Sequence, residues 1–281
     1  MRRLDGEVAF ITGGASGIGL AMAQSLATQG MRIAIADINE SALAEAASTL
    51  SGRGTTVLPL VLDVRNADAW MDAVDAVEAQ LGPIFLLCNN AGVGLASSST
   101  EDVAPADWDW IIGINLGGAF LGVRALAGRM KARGRGHILN TSSILGLFPK
   151  AEHAAYVAAK FAVVGFSEAL RAELAPHGVG VTVLMPGLVR TAQSANVRAS
   201  QKAASPTDQT RPKPTGIEPG AIGDLVVESV LRNRLYAISH AEYLPVVEDR
   251  LQRLLDAFRS ASAKDESEDI FYLGSDSLKL A

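Results

Sequence analysis

TGGASGIG, residues 12–19, connects a short apolar segment to an alanine-rich segment with helical periodicity. Its glycines allow a tight turn and let backbone N–H groups approach a phosphate. The N-terminus of a following helix adds partial positive charge at the same place. A purely structural turn would use the same glycines, but the position between a predicted strand and a predicted helix favours nucleotide binding. The candidate phosphate-binding residues are Gly13, Ser16, Gly17, Ile18 and Gly19.

Short apolar segments alternate with longer amphipathic ones along the rest of the chain. The predicted strands cover residues 7–12, 31–37, 55–63, 84–88, 137–141, 179–185 and 235–239. The predicted helices cover residues 17–29, 40–50, 67–81, 105–131, 154–174, 219–232 and 243–258. Apolar runs without alternation are typical of strands that are covered on both faces. This order predicts an α/β fold with a Rossmann-like, doubly wound parallel sheet.

The length and the local composition predict one domain. A chain of 281 residues can bury a large core, and we assign residues 1–260 to a single nucleotide-binding domain. Residues 191–216 are polar, contain three prolines and show little periodicity, which predicts a substrate lid. Residues 261–281 are mixed in charge and predict a C-terminal tail.

The overall composition excludes several classes of protein. Hydrophobic residues make up 48% of the chain and charged residues 20%, which excludes a disordered protein. A net charge of −5 without a basic run argues against a partner that is nucleic acid or a membrane surface. No apolar run approaches the ~18 residues that span a bilayer. The single cysteine, Cys88, excludes an intrachain disulfide, and we expect a cytoplasmic protein. The four histidines lack metal-ligand spacing, so no metal site is predicted.

An acidic residue, Asp37, ends the second predicted strand. A carboxylate at this place can accept hydrogen bonds from an adenosine ribose diol and repels a 2′-phosphate. The alternative is a helix N-cap or a solvated acid. No Arg or Lys lies within the glycine-rich turn or directly after Asp37, so NAD is favoured over NADP as the cofactor.

Tyr156 and Lys160 stand at positions i and i+4 of one predicted helix, so their side chains share a face. A neighbouring ammonium stabilises a phenolate and lowers the pKa of a tyrosine, which makes a general acid/base usable near neutral pH. Many helices contain such a pair by chance, so the pair needs support from other residues.

That support comes from motifs that follow one another in a fixed order from about residue 5 to residue 191. They are the turn at residues 12–19, Asp63-Val64, Asn89-Asn90-Ala91-Gly92, Asn115, Ser143, Tyr156 with Lys160, and Pro186-Gly187. In this set the chain resembles the short-chain dehydrogenase/reductases, in the group with a TGxxxGxG turn and a YxxxK pair. The resemblance implies about seven strands in the order 3-2-1-4-5-6-7 and an oxidoreductase acting on CH–OH groups.

The resemblance also implies catalytic roles. Ser143 would hydrogen-bond the substrate oxygen, and Tyr156 would take or donate the proton. Lys160 would lower the tyrosine pKa and bond the nicotinamide ribose. Asn115 would bind a water through a local helix distortion and link Lys160 to solvent.

Cofactor contacts are implied for a further set of residues. Asp63 and Val64 would contact the adenine, and Asn90, Ala91 and Gly92 would lie beside the cofactor. Pro186, Gly187 and Thr191 would lie at the nicotinamide, where Thr191 would bond the carboxamide. Tyr156 and Lys160 belong to this set as well. Strand-end capping is the alternative for Asp63, and an ordinary loop position for Thr191.

The expected pocket wall is apolar and consists of Val93, Leu95, Leu145 and Leu188. We therefore expect a bulky, uncharged secondary alcohol or ketone as the substrate. The long segment 191–216 and the C-terminal extension resemble those of bacterial enzymes that oxidise lignin-derived aryl alcohols at the benzylic carbon.

Two other functions occur on the same fold. An NADP-dependent ketoreductase of acyl-carrier or small carbonyl substrates conflicts with Asp37. A nucleotide-sensing regulatory protein on the same fold would usually lack the Tyr156–Lys160 pair. The resemblance further implies a homodimer or homotetramer, paired through the helices at 105–131 and 154–174.

Overall fold

Seven parallel strands form one sheet. The structure is a computed structural model and describes residues 3–191, 197–198 and 216–261. The strands are β1 (Val8–Thr12), β2 (Arg32–Asp37), β3 (Val57–Val61), β4 (Ile84–Asn89), β5 (Gly136–Thr141), β6 (Val179–Met185) and β7 (Tyr236–Ile238). Every neighbouring pair is parallel, and the order across the sheet is 3-2-1-4-5-6-7. The predicted fold class and strand order are confirmed.

Helices cover both faces of this sheet. They are α1 (Gly17–Ala27), α2 (Glu40–Ser51), α3 (Ala67–Leu81), α4 (Pro105–Ile112), α5 (Gly118–Arg133), α6 (Ala154–Leu174), α7 (Pro219–Leu231) and α8 (Leu244–Ser260). One apolar core lies between the sheet and α1, α2 and α7, and a second lies between the sheet and α3, α5 and α6. Because both faces are covered, every residue of β1, β4 and β6 is buried.

The third strand is shorter than predicted. Sequence periodicity predicts it over residues 55–63, but β3 covers only Val57–Val61. It is an edge strand, and Pro59 is tolerated there because the missing N–H can lie on the unpaired side. Asp63 lies beyond the strand, in the turn before α3, whose N-cap Asn66 accepts from two backbone N–H groups at 3.0 and 3.1 Å.

The long helix predicted over residues 105–131 is interrupted. Residues Gly113–Gly117 form a π-helical segment between α4 and α5, and the buried Asn115 lies in it. The helix distortion that the family resemblance implied at Asn115 is therefore present. Short π-helical segments of this kind are frequent at functional sites.

The continuous segment Pro105–Arg133 is long and apolar enough to cross a membrane by length and composition alone, with a mean hydropathy of 1.5. Half of the 18-residue stretch that has this hydropathy is buried inside the fold, where the segment packs against α6 and β4. A core helix of a globular protein passes the same test.

Most of the predicted lid and nearly all of the predicted tail lie outside the described residues. From the lid segment, the described pair Val197–Arg198 forms a short parallel ladder with Gly94–Leu95. Within the described part of the chain, α8 has no buried residue and exposes an apolar stripe that includes Leu251, Leu254 and Phe258.

The carboxyl ends of the strands meet at one edge of the sheet because all the strands are parallel. The turns after β1 and β4 lie side by side there, at the point where the strand order reverses. Ligands of open α/β sheets bind in the crevice at such a point. The segments that follow β2, β5 and β6 reach the same edge.

Candidate active site

The glycine-rich turn after β1 depends on close backbone approaches. Gly13 and Gly17 have positive φ angles of 63° and 53°. A Cβ at Gly19 would lie 2.1 Å from the Gly13 carbonyl oxygen, so only glycine fits where α1 begins. The turn therefore presents the N-terminus of α1 to the crevice, with no side chain at Gly13, Gly17 or Gly19.

Asn90 fixes this turn from the neighbouring strand. Its side-chain Nδ2 donates to the carbonyl oxygens of Thr12 and Gly13, at 3.1 and 3.4 Å. The backbone N–H groups of Asn90 and Ala91 donate to the Thr12 hydroxyl at 3.0 and 3.1 Å. The turns after β1 and β4 are thus one hydrogen-bonded unit.

One groove collects most of the predicted residues. It is lined by Gly13, Ser16, Gly17, Ile18, Gly19, Asp37, Asn90, Ala91, Gly92, Val93, Thr141, Ser142, Ser143, Tyr156, Lys160, Pro186, Gly187 and Thr191. Every predicted cofactor residue is in this set except Asp63 and Val64. Those two line a side cavity that shares Asp37 and Gly13 with the groove.

The side cavity contains a cation that the sequence analysis missed. Arg65 reaches it from the turn after Asp63 and donates to both oxygens of that carboxylate, at 2.6 to 3.2 Å. This ion pair lowers the pKa of Asp63, chiefly through the Arg65 hydrogen bond. The Asp37 carboxylate accepts from the Asn39 N–H at 3.0 Å and from the Ala15 N–H of the glycine-rich turn at 3.4 Å. Asp37 lines both the groove and the side cavity.

Three catalytic candidates converge at the other end of the groove. Lys160 projects from α6 and donates to the Thr141 carbonyl oxygen at 3.0 Å, and its Nζ lies 5.6 Å from the Tyr156 ring centroid. Ser143 follows β5, and its hydroxyl interacts with the Tyr156 phenol. Its Oγ also accepts the Leu145 N–H at 3.2 Å.

Lys160 is buried and Tyr156 is half-buried, and the loss of solvent dominates the pKa values of both side chains. Burial raises the pKa of Tyr156, and the Ser143 hydrogen bond opposes that rise. Burial lowers the pKa of Lys160 to about 8. The sequence analysis expected a lowered tyrosine pKa. The direction here is upward, because burial outweighs the Ser143 hydrogen bond. The Lys160 ammonium lies over the ring and bonds Thr141.

Asn115 acts on the loop after β4. Its Oδ1 accepts the Val93 N–H at 2.8 Å and its Nδ2 donates to the Val93 carbonyl at 3.0 Å. A Cβ on Gly92 would lie 3.0 Å from Asn115 Oδ1 and 3.6 Å from Lys160 Nζ. The amide therefore clamps the loop beside the lysine, a contact that the sequence analysis did not foresee.

The predicted substrate wall is only partly assembled. Val93 lines the groove, whereas Leu95, Leu145 and Leu188 are not among its lining residues. Leu188 is 56% exposed, because the chain turns outward after Pro186-Gly187. A Cβ on Gly17 would come within 3.2 Å of the Thr191 methyl group, so Thr191 lies directly across the groove from the glycine-rich turn.

Two further residues of the site could be recognised only from their contacts in the structure. Thr141 lines the groove and accepts from Lys160, but in the sequence it is simply the last residue of a strand. His240 supports the Pro186–Leu188 turn from behind, but in the sequence it is only one of four histidines without metal-ligand spacing. Within the described ranges, no group of three or more His, Cys, Asp or Glu side chains could hold a metal ion.

Comparisons with known proteins agree with this geometry. The family model described as short chain dehydrogenase matches residues 7–202, well over half of the chain. The C alpha-dehydrogenase of Sphingobium sp. is 34% identical over 92% of this chain and 88% of its own. The D-threitol dehydrogenase of Mycolicibacterium smegmatis is 41% identical over 67% of this chain and 72% of its own.

A solved structure agrees as well. A short-chain dehydrogenase/reductase from Burkholderia phymatum, in complex with NAD, superposes with a TM-score of 0.83 at 32% identity, covering 92% of this chain and 97% of that one. The matched region contains the glycine-rich turn and all four catalytic candidates. With sheet, groove and relatives in agreement, the chain belongs to the short-chain dehydrogenases, oxidoreductases that act on alcohol and ketone substrates.

Proposed function

We propose that this protein transfers a hydride between a bulky, apolar or aryl secondary alcohol and NAD, with Tyr156 as the general acid/base. One observation carries the proposal. Ser143, Tyr156 and Lys160 lie at one end of a groove whose other end holds the glycine-rich turn and Asp37. A dinucleotide laid along this groove would bring its nicotinamide to the three catalytic side chains.

The shape of the groove fits NAD. Its lining includes the glycines of the turn, and a Cβ at Gly17 would lie 3.2 Å from the Thr191 methyl group, which is a tight contact. The N-terminus of α1 would hold the pyrophosphate through backbone N–H groups and partial positive charge. Asp37 would accept from the ribose diol, and Lys160 would bond the second ribose.

Asp37 and Arg65 together support NAD over NADP. A 2′-phosphate would lie beside the Asp37 carboxylate and be repelled by it. Arg65, which lines the side cavity next to Asp37, is already engaged by both oxygens of Asp63. Its charge is therefore compensated within the protein and gives little attraction for an additional phosphate.

Three side chains of this protein would each perform one part of the reaction. When bound, the oxidised nicotinamide supplies the acceptor for a hydride from the alcohol carbon. Ser143 holds the alcohol oxygen, and Tyr156 removes its proton as the carbonyl forms. The Lys160 ammonium, 5.6 Å from the centroid of the Tyr156 ring, favours the phenolate that this step requires. In reduction the same groups act in reverse.

The described lining of the groove supports an uncharged substrate. Besides Lys160, no Lys or Arg is among the described residues that line the groove. Dehydrogenases named for D-threitol, for a chlorinated cyclohexadiene diol and for hydroxysteroids are among the relatives. The C alpha-dehydrogenase matches most of the chain. The resemblance of segment 191–216 and the C-terminal extension to those of enzymes that oxidise aryl alcohols makes aryl secondary alcohols our first choice of substrate.

Self-association and a cytoplasmic location are part of the same proposal. Gly113 and Gly117 on the long segment before α5, and Ala158 and Ala162 on α6, are small residues that permit close approach between helices of two copies. We propose a homodimer as the minimum assembly. The absence of disulfide-forming cysteine pairs in the sequence fits a reducing compartment.

The test is a nicotinamide absorbance assay over a panel of aryl and aliphatic secondary alcohols, with both NAD and NADP. We expect turnover of aryl alcohols with NAD, and its loss in Tyr156→Phe. Tyr236→Phe is the matched control, because its hydroxyl bonds Glu168 at the sheet edge, away from the groove. Full activity in Tyr156→Phe would contradict the mechanism, and inactivity of the wild type over the whole panel would contradict the substrate class.

A further inference from the structure

The turn after β6 is held from behind by a buried histidine. Pro186 and Gly187 line the groove on one side of this turn. On the other side, His240 follows β7 and is only 6% exposed. Its Nδ1 lies 3.1 Å from the Gly187 backbone nitrogen, and its Nε2 lies 3.1 Å from the Leu188 carbonyl oxygen.

These two contacts determine the tautomer of the ring. A carbonyl oxygen can only accept, so the Nε2 of His240 carries the proton and donates it to Leu188. Nδ1 is then the acceptor, and the Gly187 N–H donates to it. The Ser239 hydroxyl lies 2.6 Å from Nδ1 and 3.2 Å from the Gly187 nitrogen, which completes the cluster. The neutral ring with its proton on Nε2 satisfies every one of these groups.

The imidazole also explains why residue 187 is glycine. A Cβ added to Gly187 would lie 2.6 Å from Cγ of His240 and 2.7 Å from its Nδ1. The ring therefore packs directly against the backbone of the turn, and only a glycine at position 187 leaves room for it. The imidazole also lies near Tyr243, and the centroids of the two rings are 6.1 Å apart. Phe148, from the loop after Ser143, packs on Tyr243 at 5.5 Å.

A short path leads from this turn to the substrate side of the groove. The Pro186 carbonyl oxygen accepts the Ile144 N–H at 2.9 Å, and the Ser143 hydroxyl lies 3.5 Å from the same oxygen. The position of Ser143 thus depends on the position of Pro186. Pro186 in turn is adjacent to the two backbone groups that His240 holds.

We infer that His240 is a positioning residue of the active site, which fixes the Pro186–Leu188 turn and through it the Ser143 hydroxyl. The inference rests on the proposed function, because the geometry that it protects is that of hydride transfer. Reacting groups that are displaced by about 1 Å lose roughly 100-fold in rate. His240 itself lies behind the groove and touches no reacting atom.

Three substitutions of His240 test its hydrogen bonds to Gly187 and to Leu188 separately. His240→Leu keeps bulk and removes both bonds. In His240→Asn, the side-chain oxygen can replace Nδ1 as the acceptor for Gly187. In His240→Gln, the amide nitrogen can replace Nε2 as the donor to Leu188. His177→Leu is the matched control, since His177 is exposed at the end of α6.

The kinetic readout is kcat and KM for a secondary alcohol, beside the Kd of ADP-ribose, which lacks the nicotinamide. We expect His240→Leu to lose about 10- to 100-fold in kcat/KM while ADP-ribose binding stays at the wild-type level. His240→Asn and His240→Gln should each recover part of the loss. Wild-type kcat/KM in His240→Leu would overturn the inference. So would an equal loss of ADP-ribose binding in all three variants, because that would indicate a general role in folding.

A second readout does not depend on turnover. The nitrogen chemical shifts of the histidine side chains in the intact protein report which ring nitrogen carries the proton. His240 should show the Nε2–H tautomer, and an Nδ1–H tautomer would overturn the geometry. If the wild type oxidises no alcohol of the panel, the proposed function fails. The tautomer still decides whether His240 holds this turn.

Discussion

Replacing Asp37 by Ala and Ile38 by Arg is expected to change the cofactor preference from NAD to NADP. Asp37 faces the groove at the end of β2, where it would accept from the ribose diol. Ile38 is 67% exposed and lines the side cavity, so an arginine at this position buries no charge. The double change removes a repulsive carboxylate and adds a cation for the 2′-phosphate.

Hydrogen-bond energies give the expected size of the change. A hydrogen bond to a charged group contributes about 1.5–3 kcal/mol. Because about 1.4 kcal/mol corresponds to a factor of ten, NAD should lose ~10- to 100-fold in kcat/KM. A charge-assisted bond from the new arginine to the phosphate should improve NADP by a similar factor. The ratio of the two kcat/KM values should therefore change by about 10²- to 10⁴-fold.

The assay measures kcat/KM for both cofactors at one saturating alcohol concentration. Asp37→Asn is the control, because it removes the charge but can still accept the Asn39 N–H, which lies 3.0 Å from Oδ1. This control should weaken NAD without creating a site for NADP. A wild-type enzyme with higher kcat/KM for NADP, or a double variant with an unchanged ratio, would refute the role given to Asp37.

Four further predictions concern catalysis, stability and assembly. Tyr156→Phe should lower turnover by roughly 10²- to 10⁴-fold and leave cofactor binding intact, as measured by fluorescence titration, because only the acid/base hydroxyl is lost. Burial lowers the pKa of Lys160 to about 8 from 10.5, so the unfolded chain binds more protons between these values. The free energy of unfolding should therefore rise between about pH 8 and pH 10, by up to ~3 kcal/mol, and urea unfolding of Lys160→Met should show a flatter profile. Asn115→Leu should cost about 1–3 kcal/mol in the same urea experiment, since both backbone groups of Val93 lose their partner. Light scattering at micromolar concentration should give at least a dimer, and a monomer would contradict the assembly proposal.

Parts of the fold were predictable because local patterns and tertiary packing agree. The α3 and α6 helices and the β6 strand have the predicted bounds, since each has an unambiguous period and a clear stop signal. The third strand was predicted too long. The prediction included Thr55, Thr56 and Asp63, but the pairing with β2 covers only Val57–Val61 and so determines where the strand ends.

The sequence by itself determined the fold class, the strand order that the family motifs imply, and the position of the glycine-rich turn. These depend on residues close together in the chain, namely on hydrophobic period, on glycines between a strand and a helix, and on an i, i+4 pair. It also supplied the residues that line the groove, as cofactor, catalytic or substrate-wall candidates, except for Thr141 and Ser142.

Only the tertiary structure decided how these side chains are paired and what surrounds them. The engagement of Arg65 by Asp63, the bonds from Asn115 to Val93 and the support of Gly187 by His240 join groups whose geometry no local pattern encodes. The upward direction of the Tyr156 pKa has the same origin. It depends on how much solvent the packed chain removes, and burial of a phenol is a property of the whole fold rather than of its neighbours in sequence.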